Sequence, residues 1–330
     1  MGGTLRIGIL GAASIAPNAL ITPARHNTEV EVVAVAARDP RKARDYADKH
    51  GIPRITPGYA ELLADPEIDA VYNPLPNGLH GRWTLAAIEA GKHVLCEKPF
   101  TANADEARTV AKAAGESGLV VMEAFHYRYH PVARRMREIV ASDELGPIRH
   151  VEANFCFPLL KFSDIRYQFD LAGGAMMDAG CYALHWLRML ADAEPEITSA
   201  RARLHNVAVD RAITAELTFP SGATGILRCS MLSTQVLRMS AKAIGARGEM
   251  RVFNPLAPQM GHRISVKTAD GRRVEKLTRR PTYAFQLDAF AGAVLRGEPL
   301  LTPLSDAIAN MTAIDAIYRA AGLPLRQPTG

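Results

Sequence analysis

Residues 6–16 read RIGILGAASIA, an apolar run that ends at a glycine-containing loop. The loop, Gly11–Ala16, stands between a strand-like and a helix-like stretch, where the dinucleotide fingerprint G-x-G-x-x-G/A would stand. Gly11 permits the tight turn, Ala16 permits close packing of the helix, and the helix N-terminus offers N–H groups to a pyrophosphate. Ala13 departs from the fingerprint, because its methyl group narrows the approach of phosphate to backbone. The motif alone leaves open an ordinary strand-turn-helix of an unrelated α/β protein.

Beyond this loop, short apolar runs rich in β-branched residues alternate with amphipathic helical stretches as far as Glu123. This alternation is typical of βαβ units and predicts a doubly wound parallel sheet. Strands are predicted at Arg6–Leu10, Val30–Ala36, Ala70–Tyr72, His93–Cys96 and Leu119–Met122. Helices are predicted at Asn18–Pro23, Pro40–His50, Tyr59–Ala64, Leu79–Ala90 and Ala104–Ser117. Residues 1–125 are therefore predicted to form an α/β domain.

The character of the sequence changes after a predicted helix at Pro131–Ala141. The stretches that follow have turn signals between them and the spacing of an antiparallel sheet, and Ile213–Phe219 alternates apolar with polar residues. Strands are predicted at Ile148–Phe157, Ile197–His205, Ala212–Phe219, Ala223–Ser230 and Val236–Ile244. Covering helices are predicted at Ala175–Leu190, Tyr283–Arg296 and Pro303–Ala321. Residues 126–330 are therefore predicted to form an α+β domain with a large, mostly antiparallel open sheet.

Length, charge and cysteine usage exclude several classes of protein. A chain of 330 residues is long enough for two domains, each with its own core. The net charge of +5 comes from scattered residues, so nucleic acid is not an expected partner, and Arg272-Arg273 with Arg279-Arg280 fit a solvated hairpin edge. Four widely spaced cysteines predict neither a metal site nor a disulfide framework. Without a charged leader or a membrane-length apolar stretch, a cytoplasmic protein with no membrane partner is expected.

The end of the second predicted strand, Val35-Ala36-Ala37-Arg38, bears on the choice of cofactor. In NAD-binding folds an Asp or Glu at this point takes the ribose hydroxyls. Ala37 offers no carboxylate, whereas the guanidinium of Arg38 suits a 2′-phosphate. Asp39 is an alternative acid, but it fits at least as well as the cap of the next helix. NADP is therefore the predicted cofactor, with NAD as the alternative.

Three further segments resemble one known family. Gly91–Pro99, GKHVLCEKP, resembles the Glu-Lys-Pro signature of the glucose-fructose oxidoreductase/inositol dehydrogenase (Gfo/Idh/MocA) family. Val71–Asn77 and His80 resemble that family's loop beside the nicotinamide. Gly173–Tyr182 resembles its second catalytic segment, and the order and spacing of the three segments agree.

The resemblance extends over essentially the whole chain, and residues 34–39 and 122–124 are most similar to the dihydrodiol dehydrogenase and NADP-dependent D-xylose dehydrogenase branch. It implies an N-terminal Rossmann domain, a C-terminal domain that binds substrate, and a site in the cleft between them. It also implies a homodimer or homotetramer assembled through the C-terminal sheet. The implied activity is hydride transfer between NADP and a hydroxyl or carbonyl carbon of a sugar, cyclic polyol or diol.

The resemblance assigns the catalytic chemistry to three residues. Lys98 stands where the family has the group that exchanges a proton with the substrate oxygen as the hydride moves. Tyr182 stands where many members have histidine and some have tyrosine, and Asp178 is expected to orient substrate hydroxyls and Lys98. The alternatives are a solvated lysine, a helix-capping aspartate and an interfacial tyrosine. A cis bond before Pro99 would aim this turn.

The other candidate site residues come from the fingerprint loop and from the resemblance. The candidates for cofactor binding are Gly11, Ala13, Ser14, Ile15, Arg38, Pro74, Leu75, Asn77, His80, Glu97 and Lys98. The candidates for substrate binding are His126, Phe155 and Arg166. His126 fits equally as a packed histidine, and His185, on an apolar helix, is expected to be a core histidine.

Two other functions stay open from the sequence. Some members of the family keep the fold as sensors or regulators without turnover, and others are glycosidases that oxidise their sugar transiently with tightly held NAD. The presence of Lys98, Asp178 and Tyr182 argues against a sensor. Arg38, which suggests exchangeable NADP, argues against the glycosidase.

Overall fold

The computed structural model describes residues 3–233 and 237–330, which form two compact units. The first unit is made of the described residues up to His126, Tyr283–Ile308 and Gly330. The second unit is made of the described residues of Tyr127–Thr282 and of Ala309–Thr329. The domain bounds 1–125 and 126–330 stay predictions.

The first unit is built around a six-stranded sheet in which every neighbouring pair of strands is parallel. The strands are β1 (Leu5–Leu10), β2 (Val30–Ala36), β3 (Arg54–Thr56), β4 (Ala70–Asn73), β5 (His93–Cys96) and β6 (Val121–Glu123). In the order β3-β2-β1-β4-β5-β6, the succession of strands reverses between β1 and β4. Sheets of this type bind ligands outside the carboxyl ends of the strands at such a reversal. The predicted Rossmann sheet is confirmed.

The second unit contains an eight-stranded sheet of the order β14-β13-β12-β11-β7-β10-β9-β8. Its strands are β7 (Ile148–Cys156), β8 (Glu196–Leu204), β9 (Asp210–Thr218), β10 (Thr224–Ser230), β11 (Arg238–Gly245), β12 (Gly248–Phe253), β13 (Arg263–Thr268) and β14 (Gly271–Glu275). β7 and β10 pair in parallel, and the other neighbours are antiparallel. The prediction of a large, mostly antiparallel sheet is confirmed.

Nine helices lie among the described residues. They are α1 (Pro17–Ile21, a π-helical turn that continues as Thr22–Ala24), α2 (Pro40–His50), α3 (Tyr59–Ala64), α4 (His80–Glu89), α5 (Ala104–Ser117), α6 (Pro131–Ala141), α7 (Cys181–Ala191), α8 (Thr282–Arg296) and α9 (Leu304–Ala320). Shorter π and 3-10 turns join some of them, among them Met176–Gly180 directly before α7. Asp39 caps α2, because its carboxylate accepts the N–H of Arg41 at 2.9 Å.

Four strands were not predicted from the sequence: β3, β12, β13 and β14. β3 has only three residues, all half-buried, and so it shows no apolar face. β14 is an edge strand whose first four residues are exposed, and it carries Arg272 and Arg273 as the predicted solvated hairpin edge. The predicted strand Val236–Ile244 begins at a residue outside the described ranges, and β11 begins at Arg238.

The core of the second unit lies between the sheet and α7, which packs on β7 and β10. Ten residues of this helix, Cys181–Leu190, are buried, including Trp186. β9 shows the predicted alternation, with Ile213 and Leu217 buried while Thr214 and Glu216 are exposed. The helix therefore covers the face of the sheet that the sequence marks as apolar.

The described residues contain no group of three or more His, Cys, Asp or Glu side chains that could hold a metal ion. All four cysteines are free thiols; Cys96, Cys181 and Cys229 are buried, and Cys156 is half-buried. Burial raises the pKa of Cys96 and Cys229 well above the ordinary value of a thiol. None of the described helices combines the length and the hydropathy needed to cross a bilayer.

Candidate active site

The fingerprint loop follows β1 at the reversal point of the parallel sheet. Gly11 has a positive φ of +96°, and a Cβ on it would lie 3.0 Å from the side chain of Leu75 in the loop after β4. A residue with a side chain is disfavoured here for both reasons. The N–H of Gly11 donates to the Ala36 carbonyl at 2.7 Å. Ala13 and Ile15 are half-buried and Ser14 is exposed, so the loop presents backbone to a ligand.

A tyrosine that was not predicted from the sequence fixes the middle of this loop. The hydroxyl of Tyr46, on α2, donates to the carbonyl of Ala13 at 2.8 Å. Burial raises the pKa of Tyr46 to about 12, so the hydroxyl keeps its proton at neutral pH. In the sequence, Tyr46 is one polar aromatic residue within an amphipathic helix, and nothing marks it as a partner of the loop.

The carboxyl end of β2 carries an exposed cation, and the carboxylate that follows it caps a helix. The side chain of Arg38 is exposed. The carboxylate of Asp39 is engaged in capping α2 through Arg41. Tyr59 hydrogen bonds the backbone of Arg38, and burial, the largest effect, raises the pKa of its hydroxyl. These residues fit an adenosine ribose that carries a 2′-phosphate, because a guanidinium faces solvent where an NAD-binding fold has an acid.

The loop after β4 is held by a buried amide. Asn73 has no exposed surface, and its Nδ2 lies 3.1 Å from the carbonyl oxygen of His80 and 3.2 Å from Oγ1 of Thr84. Its Oδ1 accepts the N–H of Leu75 at 3.4 Å. Pro74, Leu75 and the start of α4 are therefore tied to the end of β4, next to the fingerprint loop.

The ring of His80 joins the loop after β4 to the turn after β5. Its Nδ1 lies 2.7 Å from the Pro99 carbonyl oxygen, and its Nε2 lies 2.7 Å from that of Leu75. Burial, the largest effect, and the charge of Lys98 lower the pKa of His80 to about 4, although both carbonyls oppose this. The two carbonyls alone would favour a protonated ring. We assign the neutral ring, since a charged one would be buried beside a second cation.

The turn after β5 carries the Glu97-Lys98-Pro99 signature. The hydroxyl of Tyr72 donates to Oε1 of Glu97 at 2.6 Å, and the other oxygen of that carboxylate lies 3.4 Å from the Lys98 nitrogen of the main chain. The N–H of Glu97 donates to the Asn73 carbonyl at 3.0 Å, and the Lys98–Pro99 bond is cis. Glu97 is buried and Lys98 is half-buried. Glu97 thus holds the backbone from which the Lys98 side chain extends.

In the second unit, Asp178 lies on the π-helical turn Met176–Gly180 that leads into α7. Its Oδ2 lies 3.0 Å from Nε of Arg166. Arg166 also contacts Asp164, with Nη1 at 3.0 Å from Oδ1. The charge of Asp178 is the main cause of a raised pKa for Arg166, which therefore stays protonated. Arg166 and Asp178 were predicted from the sequence, whereas Asp164 and the pairing were not.

Tyr182, on the first turn of α7, is surrounded by aromatic rings. The ring centroids of Phe155, Tyr127 and Trp186 lie 5.9, 6.1 and 6.5 Å from that of Tyr182. The hydroxyl of Tyr127 lies 2.7 Å from Nδ1 of His185, which is buried as predicted for a core histidine. Phe155, a predicted substrate residue, thus belongs to one cluster with Tyr182. No role was predicted from the sequence for Trp186, another member of this cluster.

His126 belongs to the first unit, whereas Phe155 and Arg166 belong to the second. His126 is 4% exposed, and its ring packs on Tyr283 with centroids 4.1 Å apart.

Asn77 begins a short 3-10 turn before α4. Within the first unit the structure brings together the candidates around Gly11, Leu75, His80 and Glu97.

Comparison with known proteins decides the family. The sequence model of an oxidoreductase family with an NAD-binding Rossmann fold, GFO_IDH_MocA, matches residues 5–125. The model of the GFO/IDH/MocA C-terminal domain matches residues 133–251. The chain belongs to the Gfo/Idh/MocA family. Its predicted membership is confirmed, and the chain is an NAD(P)-dependent oxidoreductase.

Among Gfo/Idh/MocA relatives, D-xylose 1-dehydrogenase (NADP(+)) 2 of Haloferax volcanii is 39% identical over 96% of this chain and 97% of its own. Trans-1,2-dihydrobenzene-1,2-diol dehydrogenase of Sus scrofa is 34% identical over 76% of this chain and 75% of its own. A 3-ketoreductase from Actinomadura kijaniata, solved with NADP and TDP-benzene, has a TM-score of 0.90 at 30% identity, covering 96% of this chain and 98% of that one. Other structures of that ketoreductase carry a single substitution at a lysine or at a tyrosine.

Proposed function

We propose that this Gfo/Idh/MocA protein transfers a hydride between NADP and a hydroxyl-bearing carbon of a neutral sugar, cyclic polyol or diol. The observation that supports this proposal most strongly is the Glu97-Lys98-Pro99 turn. It follows β5 of an NAD-binding sheet, and His80 links it to the loops at the reversal point. An amine held on such a turn is suited to proton exchange at the edge of a nicotinamide site.

Lys98 is the proposed proton-exchanging group. When bound, NADP supplies the nicotinamide carbon that accepts or donates the hydride. In the direction of oxidation, the neutral amine of Lys98 takes the proton of the substrate hydroxyl. The carbon that bears this hydroxyl loses the hydride at the same time, and a carbonyl forms. In the direction of reduction, the ammonium returns that proton to the carbonyl oxygen.

Tyr182 and Asp178 are proposed to bind the substrate oxygens. The phenol of Tyr182 is a hydrogen-bond donor to the reacting oxygen, and the carboxylate of Asp178 accepts from neighbouring hydroxyls. The lysine and the tyrosine that are substituted in the ketoreductase structures stand at the same separation in sequence as Lys98 and Tyr182. This agreement supports the assignment of both residues to one reaction.

The preference for NADP over NAD is proposed from the end of β2. Arg38 is exposed there, and Asp39 caps α2, so a 2′-phosphate would meet a guanidinium at this position. The backbone of the fingerprint loop, held by Tyr46, would receive the pyrophosphate. Pro74, Leu75 and Asn77 would line the nicotinamide end.

A neutral substrate is proposed from the charges around Asp178. Arg166 lies between two carboxylates, those of Asp164 and Asp178, so this group of three carries a net negative charge. Such a group favours hydroxyls over phosphates or carboxylates. The rings of Phe155 and Tyr182 offer apolar faces to the C–H bonds of a sugar or diol.

A homodimer or homotetramer formed through the open sheet is also proposed. On the sheet face opposite α7, Nζ of Lys242 lies 3.6 Å from Glu152 and 3.7 Å from Glu249. Charges paired within one chain cost less to bury against a second copy than unpaired charges do. Light scattering on an eluting size-exclusion peak tests this, and a monomer mass at micromolar concentration would contradict it.

The proposed function is tested by incubating the protein with NADP⁺ and a panel of pentoses, hexoses, inositols and diols while following absorbance of the reduced nicotinamide. We expect reduction with at least one neutral compound. Glucose against glucose 6-phosphate is a matched pair for the charge, and we expect kcat/KM to be at least about tenfold higher for the neutral member. Cofactor binding without turnover would indicate a sensor, and bond cleavage without net reduction would indicate a glycosidase.

A further inference from the structure

A fully buried ion pair lies beneath the Gly173–Tyr182 segment in the second unit. Nη2 of Arg326, in the tail after α9, lies 2.6 Å from Oδ1 of Asp210, the first residue of β9. Neither side chain has any exposed surface. The hydroxyl of Tyr318, on α9, donates to the same Asp210 oxygen at 3.0 Å. The guanidinium also lies over the Tyr318 ring, 4.3 Å from its centroid.

Both members of the pair also bind the backbone of the segment. Nε of Arg326 donates to the Gly173 carbonyl at 2.6 Å. The second oxygen of Asp210 accepts the N–H of Met176 at 2.7 Å. The two backbone groups are three residues apart, so one ion pair holds both ends of the tight turn that opens the π-helical turn of Asp178.

The turn leaves no room for a side chain. Gly174 has a positive φ of +138°, and a Cβ on it would overlap Oδ1 of Asp210 and lie 2.8 Å from Nη2 of Arg326. Gly173 is equally enclosed, because a Cβ there would lie 2.6 Å from the Arg166 carbonyl oxygen. The Gly-Gly sequence is thus explained by the close approach of the backbone to the ion pair and to the Arg166 turn.

Backbone hydrogen bonds connect this turn to the proposed catalytic residues. The N–H of Asp178 donates to the Gly174 carbonyl at 3.1 Å. The N–H of Cys181 donates to the Met176 carbonyl, which closes the π-helical turn one residue before Tyr182. The register of Asp178 and Tyr182 is therefore set from the residues that the ion pair holds.

A buried ion pair is a poor source of stability, because desolvation of both charges offsets their attraction, and apolar residues of similar volume often replace such a pair without loss. Burial raises the pKa of Asp210, while Arg326, the Met176 N–H and Tyr318 act in the opposite direction. What the pair adds beyond packing is a set of directed bonds to two backbone groups of one segment.

We propose that Asp210 and Arg326 are positioning residues for hydride transfer, which fix the Gly173–Gly180 turn and through it the placement of Asp178 and Tyr182. This inference rests on the proposed function. It assigns a part in turnover to an arginine that is fully buried and more than 100 residues from the candidate catalytic residues in sequence.

The test separates positioning from stability with the double variant Asp210→Leu/Arg326→Met, which replaces both charges by apolar groups of similar volume. We expect its thermal midpoint to fall, because the Gly173 carbonyl, the Met176 N–H and the Tyr318 hydroxyl each lose a buried partner, so turnover is measured per folded molecule well below that midpoint. We expect its turnover number on the panel substrate to fall by about 10- to 100-fold, because reacting groups misplaced by about 1 Å lose this much. Affinity for NADPH should be unchanged, since the proposed cofactor contacts belong to the first unit.

The primary deuterium isotope effect on the turnover number supplies a readout that a merely structural role would not move. Misplaced groups slow hydride transfer itself, so the isotope effect should rise in the double variant. Fewer folded molecules would lower the apparent rate without changing the isotope effect. Arg188→Met is the control, because it breaks an ion pair between a buried arginine at the far end of α7 and the exposed Glu194. It should lower the thermal midpoint and leave turnover per folded molecule within about twofold.

If the double variant does not fold, Arg326→Lys and Tyr318→Phe replace it. Each weakens the set of directed bonds while keeping the buried charge of Asp210 compensated, and each should lower turnover several-fold with a raised isotope effect. Wild-type turnover in the folded variants would overturn the inference alone. An inactive wild type across the whole panel would overturn the proposed function, and the inference with it.

Discussion

The two units hold their candidate catalytic residues in different ways. In the first unit, Lys98 lies on a turn fixed by partners close in sequence: Tyr72 is 25 residues from Glu97, and His80 is 19 residues from Pro99. In the second unit, the segment of Asp178 and Tyr182 is fixed by Asp210 and by Arg326, which is 153 residues from Gly173. The first arrangement follows from a parallel sheet, whose loops after neighbouring strands meet at one edge. The second depends on side chains brought together by the whole unit.

This difference predicts that substitutions in the two units affect turnover, cofactor affinity and stability in different combinations. The first unit should lose function at single side chains while its fold is kept. The second unit should couple function to its buried contacts.

The largest effect is expected for Lys98→Met in the first unit. Removal of the proposed proton-exchanging amine should lower the turnover number by about 10³-fold. NADPH affinity, measured by nicotinamide fluorescence, should stay within about threefold, because the fingerprint loop and Arg38 are untouched. Lys112→Met, which changes a lysine that is 77% exposed on α5, is the control and should be indistinguishable from wild type. Near-normal turnover of Lys98→Met would remove the basis for this role.

The next largest effect is expected for Tyr182→Phe in the second unit. The ring can stay in its aromatic cluster, so the loss of about 10²-fold in turnover reports the hydroxyl alone. Tyr127→Phe removes another hydroxyl of the cluster, the one bound to His185, and should cost less than about tenfold. Equal losses in steady-state kinetics would mean that the cluster, and not the Tyr182 hydroxyl, matters for turnover.

Arg38→Ala should affect the cofactor alone. Loss of a charge-assisted contact to the 2′-phosphate should weaken NADP binding by about 30-fold and leave NAD binding within about twofold. Titration calorimetry with both dinucleotides measures this, and Arg44→Ala, which changes an exposed arginine on the helix that follows, α2, is the control. Equal losses for NADP and NAD would show that Arg38 does not distinguish them.

The smallest effect is a pH dependence of stability in the second unit. His130 caps α6, and its Nδ1 accepts the Val132 N–H at 3.1 Å, so the ring is neutral. Burial, the largest effect, and the nearby His262 lower the pKa of His130 to about 4 from its usual 6.5. The unfolded chain therefore binds more protons between these values, and stability is lost as the pH falls through this window.

From pH 6 to pH 5 this histidine should account for a loss of roughly 1 kcal/mol in the free energy of unfolding. His130→Asn keeps a capping acceptor without a titrating ring. Urea unfolding at both pH values should show that this part of the pH dependence is absent in the variant. An unchanged pH dependence would contradict the assignment of a neutral, buried His130.

The difference between the two units also explains which parts of the fold and of the site could be predicted from the sequence. The first sheet, the cap at Asp39 and the positions of Gly11 and Glu97 were predictable, because strand period, turn chemistry and short motifs act locally. β12, β13 and β14 were missed, and β14 lies exposed at an edge of the sheet, where no apolar face marks it.

The contacts of the second unit had no local signal. Asp210 and Arg326 look like ordinary polar residues at a strand start and in a tail, and only the folded chain buries them together. The Gly173-Gly174 pair was noticed as part of a motif, but its reason lay in residues far along the chain. The candidate catalytic residues could therefore be named from the sequence, whereas the buried contacts that hold Asp178 and Tyr182 in place could not.

The buried thiols make this enzyme convenient for site-specific labelling. Cys96, Cys181 and Cys229 are enclosed, and burial raises the pKa of the half-buried Cys156 as well. Because alkylating reagents attack the thiolate, the native chain should react slowly at neutral pH. A single cysteine introduced at an exposed position would then carry a fluorophore with little background, without prior removal of the natural cysteines.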